Sequence, residues 1–219
     1  MHEKLRTLAV AAALIVLAVG TWLAYDKYSR RNHVVTMVKD AAVRLTSVLQ
    51  AQAGGAAPID YESHATAIEG YASTLRRMNT SSFTPLADAA DDYLVTAREI
   101  ARRSVDIRRA RERLTASLPA LGQHIRTDRG AAAWTGEAMK LKETLDRDFR
   151  DYRIAVDAYR SVLGSLLVSQ ANVSSRVEDL PLIDDALVKR AAASVLDAYA
   201  AAEQNAKQVA ELGRHAGRR

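Results

Sequence analysis

The stretch 84-TPLADAADDYLVTAREIARRSVDIRRARERLTASLPALGQHIRT-127 decides the fold. Beginning at Leu86, the residues Ala90, Tyr93, Ala97, Ile100, Ser104, Ile107, Arg111, Leu114, Leu118, Leu121 and Ile125 return at alternating steps of four and three. Side chains alternate faces at every residue of a strand, so only a helix gathers this set on one side. Thr84 followed by Pro85 supplies a cap and a proline in the first turn, the usual start of such a helix. Pro119 removes one bond from the ladder without disturbing the rhythm, which predicts a kink, with a full break as the alternative.

The same rhythm recurs on both sides. Val34, Val38, Ala41, Leu45 and Val48 mark a helix over 26–53 that continues out of the apolar N-terminal stretch and stops at Gly54 and Gly55. Asp60 caps a second helix over 60–78 that turns Ala65, Ile68, Tyr71, Leu75 and Met78 inward. After the helix over 85–127 comes one over 131–178, whose seam includes Tyr152, Tyr159, Leu166 and Gln170 and which ends before Pro181. The last, over 181–213, has a seam of mostly small residues (Ala191, Ala198, Ala202, Asn205), which predicts a close approach deep in the bundle. No segment combines strand alternation with a hairpin turn. Long helices joined by short turns pack antiparallel. The expected fold is therefore all-α: an elongated up-and-down bundle over 26–219, carried by an N-terminal tail and transmembrane anchor over 1–25.

That anchor is 7-TLAVAAALIVLAVGTWLAY-25, nineteen residues without a charge. As a helix it measures about 28 Å, close to the roughly 30 Å hydrocarbon layer of a bilayer. Leu8, Leu14, Ile15, Leu17 and Leu23 supply the apolar body, and Trp22 and Tyr25 stand at the downstream end, where amphipathic rings favour the headgroup region. A cleaved signal peptide is the rival, on the small pair Ala18 and Gly20. The apolar run passes beyond that pair through Trp22, Leu23 and Ala24, which favours a retained single span. The six-residue basic leader has the form of an export signal, and it places the bulk of the chain in the periplasm of a bacterial inner-membrane protein.

With 31 basic and 26 acidic residues the chain carries a net charge of +5, which eases the approach of anionic partners. The absence of cysteine excludes disulfides, thiolate nucleophiles and cysteine-held clusters. The five histidines stand apart, without the spacing a metal site on bundle helices needs, and no phosphate loop or nucleophile elbow occurs. These observations argue against an enzyme and imply neither a metal nor a cofactor. Arg98, Arg102, Arg103, Arg108, Arg109 and Arg113 form a candidate surface for an anionic partner, although Glu99, Asp106 and Glu112 stand at pairing distance along the same helix. A nucleic-acid partner does not fit an exported domain.

Polar residues inside the seams form the other candidate. Folding the helices back on one another brings Arg111 level with Asp148, and brings Ser104, Tyr152 and Asn205 into the same zone. A guanidinium there must snorkel, pair with a carboxylate or meet a ligand.

The passage from 7-TLAVAAALIVLAVGTWLAY-25 into Val34 to Val48, followed by the long helix 149-FRDYRIAVDAYRSVLGSLLVSQANVSSRVEDLP-181, resembles the sensor ectodomains of bacterial chemoreceptors and histidine kinases, including the double all-helical type. That resemblance is one of layout, and it implies sensing in the periplasm. The segment 214-RHAGRR-219 departs from it, carrying neither a second span nor a signalling part. Two functions are therefore expected. The first is an interaction or assembly subunit of a larger membrane complex, binding a protein partner or a second copy. The alternative is a small-molecule sensing bundle that works with a separate signalling partner.

Overall fold

The computed structural model describes residues 2–54, 59–78, 80–127 and 136–216; side chains are described for 14–54, 59–78, 80–125, 137–209 and 211. The chain forms five helices, α1 (His2–Gln52), α2 (Tyr61–Arg77), α3 (Thr84–Thr127), α4 (Gly136–Ser174) and α5 (Asp185–Ala216), with no strand among the described residues. It is an all-helical bundle. Asp60 caps α2, its carboxylate accepting from the backbone N–H groups of Glu62 and Ser63 at 3.1 and 3.2 Å. The turn expected after Thr127 falls on residues 128–135, outside the described residues.

Pro119 does not break α3, which runs as one helix from Thr84 to Thr127. The packing on both sides of it explains the continuity, since Leu114, Leu121 and Ile125 all remain buried. α3 is the central element and touches each of the other four helices. The heptad seam expected of α3 is its buried face, with Tyr93, Ala97, Ile100 and Ser104 wholly inaccessible, except at Arg111, which is exposed, and Leu118, which is half-buried. α5 was expected deep in the bundle, and only its first half is: Leu187, Val188, Ala191 and Val195 are buried, whereas Ala201 and Asn205 are exposed. The small residues that permit close approach also leave little apolar area to bury, so they do not by themselves draw the helix inward.

Ion pairs and polar contacts fix the directions. Arg76 meets Asp91 and Arg109 meets Glu62, so α2 runs antiparallel to α3. Arg113 meets Asp151 and Ser104 lies beside Tyr159, so α4 does likewise. Gln170 contacts Ile183 and Tyr152 packs on Tyr199, so α5 runs antiparallel to α4 and alongside α3. The cross-section is therefore uneven along the axis. α2 pairs with the first half of α3, from Asp91 to Arg109, whereas the groove along the second half is lined, among the described residues, by α3 and α5.

α1 is one continuous helix, and among its described side chains the first that is buried is Val34. Ahead of it, Leu14, Ile15, Leu17, Trp22, Leu23 and Tyr25 project with 54–72% of their surface exposed. Among the described residues, no helix is long and apolar enough to cross a membrane. The side chains of residues 1–13, Leu8 included, lie outside the described residues.

Candidate functional site

The arginines of α3 are mostly met by carboxylates. Arg98 pairs with Glu69 at 3.3 Å and Arg109 with Glu62 at 2.7 Å, both across to α2. Arg103 pairs with Glu99 at 2.6 Å and Asp106 at 3.2 Å within α3. Arg108 lies 3.6 Å from both Glu62 and Glu112, with its guanidinium carbon 5.8 Å from the centre of the Tyr61 ring. Arg113 reaches across to α4, to Asp151 at 3.3 Å and Asp148 at 3.8 Å. Arg102 is exposed and makes no ion pair with a described residue. The face thus carries far less free positive charge than its arginines suggest, and the pairs, being half exposed, each contribute only about 0–1 kcal/mol.

Arg111 stands apart from this pattern. The sequence register pairs it with Asp148, but the buried Asp148 receives Arg113 instead, a displacement of two residues. Arg111 is exposed and forms no ion pair with a described residue. It stands at one end of a cavity of about 830 Å³ between α3 and α5, with Leu114, Leu118 and Val209 along the apolar wall and Asn205 on the opposite helix.

The four residues expected in one zone are divided by the structure. Arg111 and Asn205 share the cavity. Tyr152 lies behind it in the core, 1% exposed, its ring 5.4 Å from that of Tyr199 on α5. Its hydroxyl has no hydrogen-bond partner; burial raises its pKa, and the positive charge of Arg111 opposes that rise. Ser104 belongs elsewhere, fully buried in the wider half, where its hydroxyl donates to the Ile100 carbonyl at 3.0 Å. Its polar neighbour is the buried Tyr159 hydroxyl, short of a well-formed hydrogen bond, and burial drives the Tyr159 pKa upward.

The shift of α5 has a local cause. The helices expected over 131–178 and 181–213 fold back about residues 179–181, but the chain leaves α4 at Ser174 and runs without regular structure to Asp185, with Asp179 in the left-handed region at φ 53°. Gln170 holds this segment: its Nε2 donates to the Ile183 carbonyl at 3.1 Å and its Oε1 accepts from the Ile183 N–H at 2.8 Å. The longer connection places Tyr199 between Phe149 and Tyr152, so Asn205 lies six residues, about 9 Å, beyond that level.

No group of three or more metal-ligating side chains gathers among the described residues. Of the pocket-lining residues, Ala198 and Pro119 were read from sequence only as a seam position and a kink, and Thr115, Gly122 and Ala201 were not singled out. Only the small-residue rhythm of α5 hinted at them. Compared with known proteins, the chain matches no family model, no curated protein and no solved structure.

Proposed function

We propose that this chain is a membrane-tethered helical bundle, anchored through residues 7–25 and held in the periplasm, which serves as an interaction or assembly subunit of a larger membrane complex. The observation that carries the reading is the form of α1. Its apolar side chains from Leu14 to Tyr25 stand free of the bundle, while the same unbroken helix supplies Val34, Val38, Leu45 and Leu49 to the core. A contiguous apolar surface of this kind needs cover from lipid or from protein. The nineteen-residue uncharged run and the aromatic pair at its end favour lipid. Extensive pairing of the charged side chains on α3 with α2 and α4 favours a rigid scaffold over a catalyst.

Fractionation of cells expressing the full chain tests the tether: it is expected in the membrane pellet after a high-salt wash and in the supernatant only after detergent. A reporter fused after Ala53 should be active on the periplasmic side. Purified from detergent extracts, the chain is expected to bring a membrane protein with it at fixed stoichiometry. Recovery of the intact chain in the soluble fraction overturns the anchor, and a lone monodisperse chain in detergent overturns the assembly role.

A further inference from the structure

The cavity between α3 and α5 exists because α1 is short on the bundle side. In the wider half α1 lies against both α3 and α5. The contact of Arg44 with the Tyr71 hydroxyl sets α1 and α2 in register, which puts Gln52 level with the first turn of α2. That turn sits beside Arg108 and Arg109. α1 therefore ends about one turn before Arg111, and from there the groove between α3 and α5 continues without a third helix over it. No described residue of α4 lines the cavity, so the opening faces away from α4.

We infer that this groove is a binding site for a small amphipathic monoanion, an apolar body lying along Leu114, Leu118 and Val209 with a single carboxylate at Arg111. Its volume of about 830 Å³ falls within the roughly 300–1,000 Å³ of small-molecule sites, which share its plan of apolar walls and few polar groups. From Arg111 to Gln123 the groove follows α3 for about 18 Å, the length for an extended chain. Among the described lining residues Arg111 alone is charged, and no carboxylate among them answers it. One guanidinium without a partner selects one anionic group, and its planar fork suits a carboxylate. Behind it the Tyr152 hydroxyl is buried without a partner, and the charge of Arg111 extends to it. At mid-groove Pro119 has no N–H, so the Thr115 carbonyl loses its ladder donor beside the cavity and is free to accept from a hydroxyl or amine on the ligand.

This site lies at the end of the bundle remote from the apolar tip of α1, so its substitutions leave membrane attachment intact and the two readings fail separately. The chain has no native cysteine, so Ala201→Cys on the groove rim accepts a polarity-sensitive dye at one place. The full chain in phospholipid nanodiscs is titrated with decanoate, decanol and acetate, with dye on Ala193→Cys as the control for partition into lipid. Expected is a saturable response to decanoate, at least tenfold weaker for decanol and for Arg111→Gln, with none from acetate. Ala202→Phe, which fills the groove, abolishes it; should that variant unfold, Thr115→Trp blocks from the exposed rim. A response that never saturates, one equal at Ala193→Cys, or an Arg111→Gln affinity within twofold of the parent overturns the site.

Discussion

Replacing Gln170 with Leu removes the one side chain that closes the connection between α4 and α5. Both backbone groups of Ile183 depend on it, the N–H at 2.8 Å and the carbonyl at 3.1 Å. Gln170 is 7% exposed and Ile183 3%, so water has little access to replace it. Each buried group left without a partner costs about 1–3 kcal/mol. The extra apolar burial of Leu returns roughly 1 kcal/mol, leaving a net loss of about 1–5 kcal/mol. For a chain of this size 1 kcal/mol moves Tm by about 2–4 °C, so a fall of about 2–20 °C is expected. Urea unfolding of the full chain in mild detergent, followed by far-UV circular dichroism, gives the free energy. Hydrogen exchange should also quicken at Ile183 and through the first turns of α5. A loss under about 0.5 kcal/mol, or unchanged protection at Ile183, refutes the clamp.

Three further outcomes are expected. Tyr93→Phe removes a fully buried hydroxyl that has no partner, so stability should hold or rise by up to about 1 kcal/mol in the same unfolding assay, where a clear loss would reveal a bond to that hydroxyl. Asp60→Ala deprives Glu62 and Ser63 of their acceptor and should lower stability by about 1 kcal/mol, with Asp60→Ser recovering most of it. Burial, with Arg44 adding to it and Asp60 opposing, holds the His64 pKa below its ordinary value. The folded chain therefore binds this proton less readily than the unfolded one, and the stability present above about pH 6.5 is lost as the pH falls below it. His64→Gln should flatten that part of the midpoint-versus-pH curve, and an unaltered curve would remove His64 as its cause.

Helix positions were legible in the sequence because each helix repeats its apolar residues often enough to define a face. Tyr93, Ile100 and Leu114 lie on the expected face of α3 and are buried there. Capping was legible at Asp60 for the same local reason, since a carboxylate two and three residues ahead of free N–H groups needs no tertiary information. Register between helices was not legible, because it is set by connections whose geometry no local pattern encodes. The two-residue displacement of Arg111 from Asp148 follows from the α3–α4 packing. The position of Asn205 depends on Gln170, which reads in sequence only as a polar residue in an apolar seam. The groove beside Arg111 depends on where α1 ends relative to α3, a distance of many tens of residues along the chain, and only the assembled bundle sets it.

Between Thr21 and Ala53 the first helix contains neither glycine nor proline. The base that carries Trp22 and the packed turns that carry Val38 and Leu45 are consequently one stiff lever. Twisting the base turns the packed section through the same angle, for there is no joint in which the torque could dissipate. Adding a single residue between Lys27 and Asn32 would reorient everything upstream by about 100° while leaving the bundle undisturbed, and so would aim the Trp22 side of the shaft at a different neighbour.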